Sequence, residues 1–179
     1  LFHLYTAWQG TLPTLMHRSI HVAIMMSLVF ILYPSGKKSS KTKASPLNWM
    51  FSSISLLLGA YIVFDYTPIV LRAGMPNTMD VVLGVIAIIV LLEGARRIVG
   101  KEIVILAIIF LLYAYFGRKL PSIIAHRGYS VKMIAEYMYL STEGIYGIAI
   151  GVSSTYIFLF ILFGSFLQKS GMGQFFNDI

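Results

Sequence analysis

Gly144-Ile145-Tyr146-Gly147-Ile148-Ala149-Ile150-Gly151-Val152-Ser153-Ser154-Thr155-Tyr156-Ile157-Phe158-Leu159-Phe160-Ile161-Leu162-Phe163-Gly164-Ser165-Phe166-Leu167-Gln168 runs for 25 residues without a charge. A helix rising 1.5 Å per residue crosses a ~30 Å hydrocarbon core in about 20 residues. Thirteen of the 25 are Ile, Leu, Phe or Val. At a few tenths of a kcal/mol each, insertion gains roughly 4–6 kcal/mol. The stretch therefore reads as a membrane-spanning helix. Ser153, Ser154 and Thr155 fall near the middle of the run. Three hydroxyls at the bilayer midplane can coordinate a hard cation or line a solute path. They can equally bond the carbonyls of the preceding turn or a neighbouring helix. Gly147 and Gly151, four apart, leave room for a second helix to approach.

The same pattern recurs upstream. Thr14–Tyr33 follows Pro13, a residue suited to the first turn of a helix. Leu47–Phe64 holds 18 residues and no charge. Thr78–Ile98 and Glu102–Phe116 are shorter in their uncharged parts, with 12 residues between Asp80 and Glu93 and 15 between Glu102 and Arg118. Both are read as spans, with Glu93 pairing with Arg97 one turn on, or with Arg96. The segment from Asp65 to Asn77, with Pro68, Gly74 and Pro76, reads as irregular. Ser130 opens an amphipathic stretch with Val131, Ile134, Ala135 and Met138 on one face and Lys132 and Glu136 on another. The expected fold is an all-α integral membrane protein of about five transmembrane helices plus an interfacial amphipathic helix. The expected division is 1–129, beginning with the end of a preceding helix, and 130–179. Both ends read as cuts in a longer chain.

Composition agrees. The chain is 58% apolar and 12% charged, about half the charge of a soluble domain. There are no cysteines, which excludes disulfides and thiolate chemistry. The net charge of +7 lies in short stretches between apolar runs, where membrane lipid headgroups and the positive-inside effect account for it; no nucleic acid partner is expected. With the Lys37–Lys43 loop cytoplasmic, that side carries eight Lys and Arg against six on the other. This places the Asp65–Asn77 and Arg118–Glu143 segments outside. His17 and His21 lie four apart on one helical face, but no third ligand completes a metal set, so they read as interfacial imidazoles. No paired carboxylates or Ser/His combination at membrane depth suggests an intramembrane enzyme, and no catalytic residue is assigned.

Several short segments occur in a specific order. They are Leu71-Arg72-Ala73-Gly74-Met75-Pro76, Leu92 through Arg97, His126-Arg127-Gly128-Tyr129-Ser130, Ser141-Thr142-Glu143-Gly144-Ile145, Gly151 through Phe160, Lys169-Ser170-Gly171 and Gly173-Gln174-Phe175-Phe176. Together they resemble the fused permease of tripartite ATP-independent periplasmic (TRAP) transporters of the TAXI type. The resemblance implies secondary active uptake of small carboxylates across a bacterial or archaeal inner membrane. It implies Na+ as coupling ion, no cofactor, and an extracytoplasmic solute-binding protein as partner. Residues to about Tyr129 would correspond to the small membrane component. The remainder would begin the large component, whose rest, with most ion and solute sites, would follow Ile179. A non-transporting membrane scaffold or assembly subunit is the alternative. Arg72 and Arg127 stand beside Gly74 and Gly128 in backbone that cannot be regular helix within lipid. They are the expected docking residues for the binding protein, while Lys119 and Lys132 are expected to meet lipid headgroups.

Overall fold

The computed structural model describes residues 1–33 and 45–170. Among the described residues every regular element is helical. Helix α1 (Phe2–Gln9) is followed by α2 (Thr14–Leu32). Next come α3 (Pro46–Phe64), which carries Pro46 in its first turn, and the short α4 (Tyr66–Leu71). Then follow α5 (Thr78–Ile98) and α6 (Lys101–Phe116). Helix α7 (Val131–Ala135) continues into wider i→i+5 turns over Glu136–Leu140. Helix α8 (Ile148–Lys169) widens in the same way over Ser153–Ile157.

Four helices, α2, α3, α5 and α8, are long and apolar enough to cross a membrane. The fifth expected span, α6, has 16 residues, none of them buried. At 1.5 Å per residue it extends about 24 Å, less than a ~30 Å hydrocarbon core. Large apolar side chains such as Phe110, Phe160 and Phe163 are 62%, 72% and 58% exposed. In water such a surface would drive association; against acyl chains it is the required one.

Because lipid tails are as apolar as leucine, helices in a membrane associate through close packing and hydrogen bonds between them. The centre of this bundle is built that way. Helices α2 and α3 are the most extensively packed pair. At Gly59 of α3, a Cβ would fall 2.5 Å from the Ala23 Cβ of α2. Ser27 and Ser52 bond across the same interface at 2.6 Å. Phe30, Leu58, Ile62, Val90 and Tyr139 belong to the buried apolar cluster.

Polar contacts fix which helix ends lie together. Arg97 donates to the Tyr33 carbonyl (3.1 Å) and the Asn48 Oδ1 (2.9 Å), gathering the end of α2, the start of α3 and the end of α5. At the opposite end the Tyr61 hydroxyl donates to Asp80 at 2.8 Å. Arg18 donates to the Tyr146 carbonyl at 2.8 Å, which draws the start of α8 to the start of α2. The Lys37–Lys43 run and Gly171-Met172-Gly173 lie outside the described residues.

Two expectations need correction. The Asp65–Asn77 segment is not wholly irregular, since it contains α4. The α7 region does form, with the Ser130 hydroxyl accepting from the Met133 amide, but its inward face differs from the expected one. Of the expected face Ala135 is fully buried and Ile134 and Met138 are half-buried, but Val131 is 48% exposed and Tyr139, not expected there, is fully buried. Ala135 packs on Gly84 of α5, and the Tyr139 hydroxyl donates to the Leu58 carbonyl at 2.6 Å.

Candidate functional site

The three hydroxyls of α8 face the N-terminal part of α2. Ser153 Oγ lies 3.2 Å from His21 Nε2, and His21 Nδ1 lies 2.7 Å from His3 Nε2. The His3 ring stacks on Phe158 at 4.0 Å between centroids. Ser154 and Thr155 both donate to the Gly151 carbonyl at 2.9 Å. They therefore bond the preceding turn, while Ser153 reaches across to a second helix.

Their depth differs from the sequence expectation. Ser153 stands five residues after Ile148, roughly 8 Å along the helix, and not at its middle. The helix begins late because Gly147 holds extended backbone as its N-cap. Before it, Gly144 presses on the α7 segment, where a Cβ would fall 2.4 Å from the Met138 Cα. Residues 144–147 thus form a turn rather than the first turn of a span.

His17 and His21 are each only 3% exposed, so they are buried within the helix bundle rather than turned out toward headgroups. His21 is partnered as above. Both ring nitrogens of His17 lack a hydrogen-bond partner. Among the described residues no group of three or more His, Cys, Asp or Glu is placed to hold a metal. Gly151 gives room to a second helix, α2, through one of its side chains. A Cβ there would lie 2.6–2.8 Å from the Arg18 guanidinium, so the small residue admits a side chain of α2. Thr14, His17 and Arg18 on one side, with Gly151, Ser154 and Thr155 on the other, line a cavity of about 360 Å³.

A second polar centre lies where α3, α4 and α5 meet. Asn77 and Asp80 form a reciprocal cap, side chain to backbone in each direction, at 2.8 and 2.9 Å. The fully buried Asp80 carboxylate also accepts from Arg72 Nε (2.8 Å), Arg72 Nη2 (2.9 Å) and Tyr61 (2.8 Å). Arg72 bridges onward to Asp65 at 2.5 Å. The hydrogen bonds that Arg72 donates to Asp80 and Asp65 raise its pKa further above the ordinary value. Arg72 thus directs its donors inward, with its side chain 22% exposed. Sequence reading passed over Asp80, although Asn77-Thr78-Met79-Asp80 carries the spacing of a capping box.

Arg127 is placed differently. It is exposed, with its guanidinium 5.2 Å from the Tyr129 ring centroid. Its carbonyl accepts from Arg118 Nε at 2.5 Å. Gly128 next to it has φ 67°, and Gly74 near Arg72 has φ 85°. Both conformations favour glycine, in keeping with backbone that departs from helix at these points. Arg127 lines a cleft of about 890 Å³ between α5, α6 and α7, while Arg72 lines a smaller one with Asp80. Glu136 borders both clefts, and its carboxylate accepts from the Gly74 amide.

At the other end of α5, Glu93 accepts from Arg96 (2.7 Å) and from Arg97 (2.8 Å), so both expected pairings form. The Arg97 side chain is fully buried beneath Phe30, its guanidinium 4.7 Å from that ring centroid.

The model of one protein family, the DctM component of the tripartite ATP-independent periplasmic transporters, matches residues 85–179. No curated protein and no solved structure matches the chain.

Proposed function

The chain belongs to the DctM family of tripartite ATP-independent periplasmic transporters, and from that premise we propose that it is part of a sodium-coupled permease of the TAXI type. The permease imports small organic acids across the cytoplasmic membrane of a bacterium or archaeon. An extracytoplasmic solute-binding protein delivers them, and the rest of the large component completes the path. The observation that carries this reading is the family match over just over half of the chain, laid on a multi-pass helical bundle. The motif order from Leu71 to Phe176 supports the TAXI assignment.

Within this reading residues 1–129 serve as the small membrane component and 130–179 begin the large one. The family match begins upstream of that division, at Val85, and so also covers most of α5 and all of α6. Ser153, Ser154 and Thr155 line part of the ion or solute path. Their support is the widened turn of α8, a feature that recurs at functional sites, facing polar groups of α2. Arg127 is the favoured docking residue, because its charge is exposed. Arg72 contributes by holding the loop between α4 and α5 in shape.

The test is uptake of radiolabelled small carboxylates by the complete transporter in proteoliposomes. Accumulation should require an inward sodium gradient and the binding protein, and a sodium ionophore should abolish it. Uptake indifferent to sodium would overturn the coupling. Absence of any uptake by the intact assembly would favour the scaffold reading.

A further inference from the structure

At the widened turn of α8, side chains from two distant parts of the sequence meet. Ser153 lies within the stretch that matches the family, whereas His3 and His21 lie upstream of it. A line of hydrogen bonds joins the three. The His3 and His21 rings stand nearly at right angles, 86° apart, with His3 Nε2 2.7 Å from His21 Nδ1. His21 Nε2 in turn lies 3.2 Å from Ser153 Oγ. His3 and His21 are 5% and 3% exposed, and the His3 ring is stacked on Phe158 of the same α8.

This line constrains the hydroxyl as well as filling space. The hydrogen bond at one imidazole nitrogen sets what the other nitrogen can do. With the hydrogen on His3 Nε2, His21 Nδ1 accepts, and a neutral His21 donates from Nε2 to Ser153. With the hydrogen on His21 Nδ1, Ser153 donates to Nε2 instead. A hydroxyl has one hydrogen and two lone pairs. In both arrangements the Ser153 oxygen is held in one direction and keeps at least one lone pair for a hard cation, which takes oxygen ligands. Ser154 and Thr155 behave differently. Both donate to the Gly151 carbonyl of their own helix, a bond that needs no second element.

We propose that His21 is a positioning residue for Ser153 in the ion path, and that His3 holds the His21 ring in the orientation this requires. The part of the chain upstream of the family match then supplies a side chain to the path and does more than scaffold it. The proposal rests on the reading of Ser153 given above, and the experiment separates the two.

The complete transporter is purified in detergent, and its melting temperature is followed as sodium chloride replaces choline chloride at constant ionic strength. A cation bound only by the folded state raises the melting temperature as it saturates. Ser153→Ala tests the path assignment, and two histidine variants test the positioning. Asparagine places its amide where Nδ1 stands, and glutamine places its amide where Nε2 stands. His21→Asn therefore keeps the bond toward His3 and loses the one to Ser153, whereas His21→Gln keeps the bond to Ser153. Loss of one such hydrogen bond corresponds to an apparent sodium affinity about three- to tenfold weaker. That shift in Ser153→Ala and His21→Asn, with His21→Gln close to the parent protein, supports the proposal. Should His21→Asn fail to fold, His3→Phe takes its place, since it keeps a ring against Phe158 and frees His21 Nδ1; a shift in the same direction is expected. A shift in Ser153→Ala while the histidine variants match the parent overturns the positioning role and leaves the path reading standing. Equal shifts in His21→Asn and His21→Gln do the same. No sodium-dependent rise, or a Ser153→Ala curve that superimposes on that of the parent, overturns both.

Discussion

Asp80 is fully buried, and its carboxylate accepts from Arg72, Tyr61 and the Asn77 amide. Asp65, the other partner of Arg72, has a side chain that is 37% exposed. The two carboxylates therefore differ in what their loss would leave behind. Asp80→Asn removes the charge opposite a mostly buried guanidinium, and breaking such a pair costs about 3–5 kcal/mol. Asp65→Asn breaks a partly solvated pair, for which about 0–1 kcal/mol is expected. Unfolding of each variant in mixed micelles measures the difference; equal losses would show that burial does not set the balance here. The same contrast applies at the other end of α5. Sequence spacing gives Arg97 only its pairing with Glu93, yet its side chain is buried under Phe30 and bonded to Asn48 as well. Arg97 is thus a packing residue as much as an ion-pair partner.

At the scale of elements, the α2–α3 interface depends on two small residues facing each other. A Cβ at Gly59 would approach the Ala23 Cβ to 2.5 Å, well inside contact distance, so the helices must part to admit it. Overpacking of this kind costs about 1–3 kcal/mol. Gly59→Ala should lower stability by that amount, and adding Ala23→Gly should restore much of it. The comparison is a double-mutant cycle on melting temperature or unfolding in micelles. Strictly additive effects would mean that the helices do not meet at this point. The element boundaries themselves were largely legible. The expected span Thr78–Ile98 agrees with α5 at both ends, because Asn77 and Asp80 form a local cap and the charged end of the helix carries Arg96 and Arg97. The start of α8 was not legible, because the turn at Gly144 depends on its approach to Met138.

For the whole molecule, the exposed positive charge of Arg127 and the inward-directed charge of Arg72 lead to different expectations in the assembled transporter. Arg127→Glu should raise the concentration of binding protein that gives half-maximal uptake, by about three- to tenfold at low salt, since charge reversal at a contact chiefly slows association. The effect should shrink at high ionic strength. Arg72→Glu should instead lower the folded yield or the maximal rate, because it places a third carboxylate between Asp65 and Asp80. The measurement is sodium-driven uptake across a titration of binding protein added from outside. An unchanged half-saturation in Arg127→Glu would rule out docking at that face, and with it the orientation that places Arg127 outside.

Much of this protein follows from the sequence by itself. Apolar runs near the length of a bilayer crossing determine that the fold is a bundle of membrane helices, because transfer of a segment into hydrocarbon depends on its own composition and length. Local chemistry also sets the Ser130 cap and the pairing of Glu93 with Arg96 and Arg97. Only the tertiary structure decides which face of each helix turns inward. A helix apolar on every side, such as α6, carries no periodic signal that separates lipid from protein. Nor does local chemistry reveal partners far apart in the chain. His21 meets Ser153 across 132 residues, and Arg18 meets the Tyr146 carbonyl across 128. Those contacts arise because α2 and α8 pack together at their starting ends, which brings scattered histidines, an arginine and three hydroxyls into one polar cluster.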